Sequence, residues 1–244
     1  MNVEVGRIRE LFRYPVKSMA AQPVGTAHLN LHGLGGDRRF AFRRRAERGA
    51  VPWLTASHYP ELLRFRPCGG DGGAEEPAPT HVLTPEGEEL DLQGEALRAE
   101  VSRRSGHEVE LIRSRLGIFD DADVSVITVA TIRGIERELG RPLDLRCFRP
   151  NIVVETGGEE VFGEDHWVGG TLVFGEGDAA AAVTLTMRDP RCVMVNMHPD
   201  TAQQDPQVMR TLVRMSGNNA GVYGTVVCAG ALAVGQQVRL LELR

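Results

Sequence analysis

The chain has 244 residues, 42% of them hydrophobic and 25% charged, with a net charge of −5. That size suits one large β domain or two modest ones sharing a cleft, and the charge argues against nucleic acid or an anionic membrane as the main partner. The N-terminus lacks the apolar segment of a signal peptide and no apolar run nears the ~20 residues of a span (Ala179 to Leu185 is far too short), so a cytoplasmic location is expected.

The first half reads as β-rich. Val3 to Phe12 alternates imperfectly, Gly25 to Leu31 alternates better, and Arg39 to Arg43 follows a glycine-rich turn. Cys68 to Thr80, rich in Gly, Glu, Pro and Ala, reads as a long solvated loop. His81 to Leu83 and Glu89 to Leu92 flank a tight turn at Thr84-Pro85-Glu86-Gly87-Glu88. The character changes near Gly117. A helix is predicted next, starting at Thr128 or Thr131, with Ile132, Ile135 and Leu139 on one face and Gly140 and Pro142 ending it. Strands follow at Phe148 to Glu155, Thr171 to Phe174, Val183 to Met187, Val222 to Cys228 and Ala231 to Leu241. A second helix starts at Asp205, with Val208, Leu212 and Met215 inward and Gly217 and Asn218 capping it. The expected class is mainly β with a few helices, in two β-rich lobes joined around Arg113 to Asp120. Helices are too few for a doubly wound or alternating α/β fold.

Chemistry is expected where these strands end. Of 28 basic residues only Lys17 is lysine. Under such an arginine bias, a surviving lysine can mark a place that needs a compact ammonium. In Tyr14-Pro15-Val16-Lys17-Ser18, Pro15 takes the chain out of the sheet and leaves Lys17 and Ser18 on a loop; an ordinary solvated lysine is the plainer alternative. Gly33-Leu34-Gly35-Gly36-Asp37-Arg38-Arg39-Phe40 continues as a strand, so it is neither a dinucleotide fingerprint nor a nucleotide phosphate loop, and its expected job is to present Asp37 and Arg38. Thr55 and Ser57 offer hydroxyls beside Trp53. Arg149 and Asn151 flank Pro150 as donors at a sheet edge, serving either an anion or a structural ion pair. Glu164 and Asp165 are adjacent, point apart, and read as structural.

Four cysteines, at 68, 147, 192 and 228, are too few and scattered for a disulfide framework, and none forms Cys-x-x-Cys. They read as reduced thiols. Cys192 follows Asp189-Pro190-Arg191 just past a strand, so it sits in a turn, and the neighbouring Arg191 favours a thiolate. Spacing alone leaves an inert buried cysteine as the simpler reading. His198 is the nearest histidine, but spacing does not establish a hydrolytic dyad.

Taken in order, Tyr-Pro-Val-Lys-Ser at 14–18, Gly-Asp-Arg-Arg-Phe at 36–40, Leu-Thr-Ala-Ser at 54–57, Phe-Arg-Pro-Asn-Ile at 148–152, Glu-Asp-His-Trp at 164–167, Arg-Cys at 191–192 and Gly-Val-Tyr at 221–223 resemble the MOSC family, in its members with a preceding β-barrel domain. The resemblance implies an N-terminal MOSC β-barrel domain over 1–116 and a MOSC β-barrel domain over 117–244. Relatives include amidoxime-reducing components and bacterial proteins that detoxify N-hydroxylated bases. The resemblance therefore implies a molybdenum–molybdopterin cofactor, with Cys192 as metal ligand and catalytic centre. It implies Lys17, Ser18, Arg38, Arg149 and Asn151 as contacts to the pterin or its phosphate, with Arg191 beside them. Sulfur donors suit such a soft, redox-active centre.

The implied activity is a two-electron reduction of N–OH to N–H in a small N-oxygenated substrate. Pro190 stands where amidoxime-reducing relatives have a small hydroxyl residue, and Val195-Asn196-Met197-His198 replaces a threonine-rich stretch, which leaves the substrate open. Neither a membrane anchor before the first lobe nor a ferredoxin domain after Arg244 is expected from this sequence. Electrons are thus expected from a separate reductase of ferredoxin, flavoprotein or cytochrome type. Two alternatives stand beside this one: a persulfide sulfur carrier using Cys192, and a non-catalytic cofactor-binding or storage module. The carrier needs no phosphate pocket. It also has no built-in desulfurase, since the only lysine lies in a short turn outside any large α/β domain.

Overall fold

Alternate residues are buried along Thr171–Phe174 and Gln237–Leu241 and all five along Val124–Thr128, and strands of this kind protect their edges by closing on one another. A computed structural model, describing residues 2–49, 51–70, 75–177 and 180–241, shows that closure. Among the described residues, seven strands pair into a barrel in the order Asn2–Arg13, Ile152–Glu155, Val124–Thr128, Asn219–Cys228, Ala181–Pro190, Thr171–Phe174 and Gln237–Leu241, then back to Asn2–Arg13. Every pairing is antiparallel except that between Val124–Thr128 and Ile152–Glu155. Ile8, Leu11, Val126, Val154, Leu185 and Val222 belong to its interior.

The barrel borrows its seventh strand. Asn2–Arg13 comes from the far end of the chain and pairs on one side with Ile152–Glu155 and on the other with Gln237–Leu241. Its imperfect alternation reflects register shifts at Glu4/Gly6 and Ile8/Glu10, where the strand bends to close the wall. Gly6 sits at φ 152°, and a Cβ there would stand 2.1 Å from the Glu155 carbonyl oxygen, so a side chain is excluded. A second crossing runs the other way: Gly230–Ala233 pairs with Thr26–Asn30 of the N-terminal half.

The rest of that half is a smaller β-rich lobe. Phe40–Arg44 pairs with Val109–Arg113, and Arg66–Cys68, His81–Leu83 and Glu89–Asp91 form a three-stranded sheet. They share a core containing Val16, Met19, Phe42, Leu54, Phe65 and Val82. In the long loop, residues 71–74 lie outside the described residues. Its Glu76 is anchored, accepting from Arg39 Nη2 at 3.0 Å and from Gly36 N at 2.9 Å, so this part is bound rather than merely solvated. Ala179, in the short apolar run, is also outside the described residues.

Three α-helices are described: α1 (Glu95–Ser105), α2 (Val129–Leu139) and α3 (Gln207–Ser216). The second and third lie where capping signals and apolar spacing predict them. Thr128 caps α2, accepting from Thr131 N at 3.1 Å, and Gly140 and Gly217 end α2 and α3 in the left-handed conformation. Helix α1 has no counterpart in the sequence reading. Only Leu97 and Val101 are buried along it, so its apolar stripe is too thin to show. Phe148 to Glu155, read as one strand, divides into a 3-10 turn at Leu145–Phe148 and the strand Ile152–Glu155, because Arg149 turns left-handed ahead of Pro150.

Leu11 is buried in the barrel while its strand leads directly into the smaller lobe. Leu11→Ala is expected to cost about 2–5 kcal/mol in urea unfolding. The two tryptophans, Trp53 in the smaller lobe and Trp167 in the barrel, provide separate reporters when either is replaced. Their midpoints should fall together.

Candidate functional site

Barrel closure delivers Tyr14 to Ser18 to one end of the barrel. The loop is pinned there by the glycine-rich turn: Tyr14 N donates to Asp37 Oδ1 at 2.6 Å, Arg38 N to the Tyr14 carbonyl at 2.8 Å, and Lys17 N to the Phe40 carbonyl at 2.7 Å. Ser18, Arg38 and Arg149 hold φ values of 64°, 49° and 51°. Left-handed backbone costs a non-glycine residue about 1–2 kcal/mol, so three strained residues around one spot indicate a built site. Together with Asp120, Cys147, Asp189, Arg191, Cys192 and Tyr223 they line a cavity of about 320 Å³ between the lobes.

The cations differ in their partners. Lys17 Nζ, 5% exposed, donates to the Ile118 carbonyl at 3.1 Å and to Asp120 Oδ1 at 2.7 Å. Burial pushes the Lys17 pKa down, against the pull of Asp120. Burial also opposes the Asp120 charge, yet Lys17, Arg38 and Arg149 together hold that carboxyl below its ordinary value. Arg38 pairs with buried Asp37 and reaches the Arg149 carbonyl at 3.2 Å. Arg149 differs. Its guanidinium lies 4.2 Å from the Tyr14 ring centroid and donates through Nη1 to the Met19 carbonyl at 2.9 Å, but Nη2 is buried without a partner. Among the described residues no carboxylate forms an ion pair with it. Burial, with Arg38 close by, pulls its pKa down to about 10.

Cys192 is exposed and free at the start of the 3-10 turn Val193–Asn196. The chain before it is clamped. Arg191 donates from Nε to the Ala220 carbonyl at 2.7 Å and from Nη1 to the Phe148 carbonyl at 2.6 Å, and pairs through Nη2 with Asp189 at 2.7 Å. Gly221, at φ 80°, makes room: a Cβ there would lie 2.6 Å from the Val126 carbonyl and 3.1 Å from Arg191 Nη2. Cys147 also lines the cavity but is buried, donating to the Met197 carbonyl at 3.3 Å, and burial pushes its thiol up to about 12. Cys68 and Cys228 lie away from the cavity, and all four thiols are free.

The MOSC domain family matches residues 112–239, and the MOSC N-terminal beta barrel domain family matches residues 5–116. The chain belongs to the MOSC family. This family is associated with binding of a molybdenum cofactor. Among solved structures, the YuaD protein from Bacillus subtilis aligns over 100% of this chain and 98% of its own, at 14% identity and a TM-score of 0.52, which shows a common fold. The YiiM proteins from Geobacillus stearothermophilus and Escherichia coli align with 50% and 51% of this chain and 55% and 56% of their own. Their identities are 19% and 16%, with TM-scores of 0.36 and 0.37. No curated protein matches the chain at a significant level. Among the described residues no helix is long and apolar enough to cross a membrane.

Within this MOSC chain, six of the seven residues expected at the site line one cavity: Lys17, Ser18, Arg38, Arg149, Arg191 and Cys192. Asn151 does not. It is 1% exposed, donates to the Phe12 carbonyl at 3.3 Å and accepts from Ser125 N at 3.2 Å and Arg38 Nη1 at 3.4 Å. Its place is behind Arg38. Arg191 is likewise a clamp, since its donors are spent on two carbonyls and Asp189 rather than on the cavity. Glu164 is structural as expected, fully buried with the Thr128 and Thr131 hydroxyls at 2.8 and 2.7 Å. The sequence reading missed Asp120, Asp189, Tyr223 and His58 as lining residues. Only Tyr223 carried a signal, within Gly-Val-Tyr.

Two substitutions separate the roles of these arginines. Removing Arg191 leaves Asp189 buried and unpaired, so Arg191→Ala is expected to lose about 3–5 kcal/mol in chemical denaturation. Arg149 is a buried cation with no direct ion pair among the described residues, so Arg149→Met is expected to stabilise the ligand-free protein by about 1–3 kcal/mol.

Proposed function

We propose that this MOSC protein binds a pterin-based molybdenum cofactor in the cavity, with Cys192 as metal ligand. In this reading it reduces small N-hydroxylated molecules with electrons from a separate reductase. The observation that carries the reading is Arg149, a buried guanidinium with an unsatisfied Nη2 and, among the described residues, no carboxylate in an ion pair with it. A buried donor of that kind is costly unless a ligand completes it, and a phosphate supplies both charge and acceptors. Lys17 and Arg38 add positive charge around it, although Asp120 and Asp37 already offset them in part.

The donor set fits the group. Among the described residues no three His, Cys, Asp or Glu side chains gather as a metal cage. A metal at Cys192 therefore has to bring most of its ligands, which suits a centre already held by a dithiolene. When bound, the cofactor would supply the two-electron redox chemistry. The chain's own part is to hold the phosphate end with Arg149, Lys17 and Ser18, to keep Cys192 projecting into the cavity through the Arg191 clamp, and to shape the space beside it. The sulfur-carrier alternative accounts for an exposed Cys192 but gives Arg149 no counter-charge.

The test is metal analysis of protein made in a host that synthesises the pterin–molybdenum cofactor. About one molybdenum per chain is expected in the wild type, with loss in Cys192→Ala and reduction of a hydroxylamine or amidoxime given a chemical reductant. Molybdenum-free protein with a trappable persulfide on Cys192 would overturn this in favour of the carrier. Bound molybdenum with no such reduction would leave a storage module.

A further inference from the structure

Asp189 lies next to the end of its barrel strand, 1% exposed, at the wall of the cavity. Its Oδ2 accepts from Ser125 Oγ at 2.8 Å and pairs with Arg191 at 2.7 Å, while Oδ1 is buried with no partner. Tyr223, on the adjoining strand, lines the same cavity. We propose that Asp189 and Tyr223 form a proton-delivering pair, in which the Tyr223 hydroxyl faces the substrate and the Asp189 carboxyl behind it replaces the proton that Tyr223 gives. The pair's catalytic use rests on the N-reduction reading above.

The chemistry calls for such a device, because R–NHOH + 2 e⁻ + 2 H⁺ gives R–NH2 + H2O. In the net reaction the N–O bond breaks and two electrons, which the proposed reductase would supply, enter at nitrogen. The departing hydroxyl takes the Tyr223 Oη proton and leaves as water. Asp189 returns a proton to the phenolate, solvent reprotonates Asp189, and the second proton reaches nitrogen from solvent. Lys17 is committed to the Ile118 carbonyl and Asp120, Arg149 to the Met19 carbonyl and the phosphate end, and Asp120 is held as a carboxylate.

The groups facing the pair are Arg191 on the following turn, Ser125 on Val124–Thr128, Arg38 on the glycine-rich turn and Asp120 on the connector. Burial pushes Asp189 up to about 6 despite Arg191, Ser125, Tyr223 and Arg38. Burial and the Asp189 charge push the Tyr223 phenol upward, so Tyr223 holds its proton at rest while Asp189 exchanges with solvent near neutrality. The protonated pair is complete below about pH 6 and is lost as pH rises through that value.

The chain has three tyrosines, Tyr14, Tyr59 and Tyr223, so ring-carbon-labelled tyrosine gives an assignable NMR spectrum without any cofactor. The expected result is a Tyr223 resonance that moves with a midpoint near pH 6, and that stops moving in Asp189→Asn. In molybdenum-loaded protein, the wild-type reduction rate should fall about tenfold per pH unit above that midpoint. Asp189→Asn and Tyr223→Phe should each lose about 100-fold and flatten the profile. Tyr223→Phe removes only a hydroxyl, so it remains informative if Asp189→Asn unfolds. A Tyr223 signal indifferent to pH from 5 to 8, or a wild-type profile retained by either folded, fully loaded variant, overturns the pair. A titrating Tyr223 in protein that takes up no molybdenum fails the cofactor reading and keeps the pair.

Discussion

The structure depends on the pairing of Asn2–Arg13 into a barrel whose other strands lie beyond residue 123. An open barrel would expose two rows of backbone donors and acceptors, and one strand from the opposite end of the chain satisfies both. That strand cannot slip, because a one-residue shift would turn Ile8 and Leu11 outward. Where it ends, Tyr14 to Ser18 must begin, so the same register that closes the barrel sets Lys17 at the cavity. The return crossing by Gly230–Ala233 fastens the lobes a second time.

From this follows an unusual distribution of charge. Buried cations are tolerated when each has a partner, and Lys17, Arg38 and Arg191 have Asp120, Asp37 and Asp189. Among the described residues Arg149 is the member without a direct ion pair, and it is also held in left-handed backbone against the Tyr14 ring. Strain and unmet charge at one residue mark where the molecule is incomplete by itself. The clamp at Arg191 has a different logic: it spends a full guanidinium on carbonyls so that the next residue, Cys192, can stay exposed without its loop collapsing.

Barrel strands and two helices were legible because their signals are local. The apolar run within Thr171 to Phe174, the Thr128 cap and the glycines at 140 and 217 act within a few residues of the structure they specify. Helix α1 was hidden because two buried side chains leave almost no periodic trace. The site was legible as a set of residues, through strand-ending prolines and an ordered series of short motifs. Its internal division of labour was not. Arg191 carries the same donors as Arg149 and Asn151 a donating amide, and nothing in composition or spacing says which of them turn inward to the protein.

By itself, the sequence determined a β-rich chain with chemistry gathered at strand ends around Lys17, Arg38, Arg149 and Cys192, since residue type and local pattern specify both. Only the tertiary structure decided that the first strand closes a barrel built by the second half, that Asp120, Asp189 and Tyr223 join the cavity, and that, among the described residues, Arg149 is the one of these cations with no direct ion pair. The physical reason is that burial and pairing are properties of neighbours distant in sequence: Lys17 and Asp120 are 103 positions apart, and Arg38 and Asn151 are 113 apart. A charge acquires its meaning from the company the fold provides.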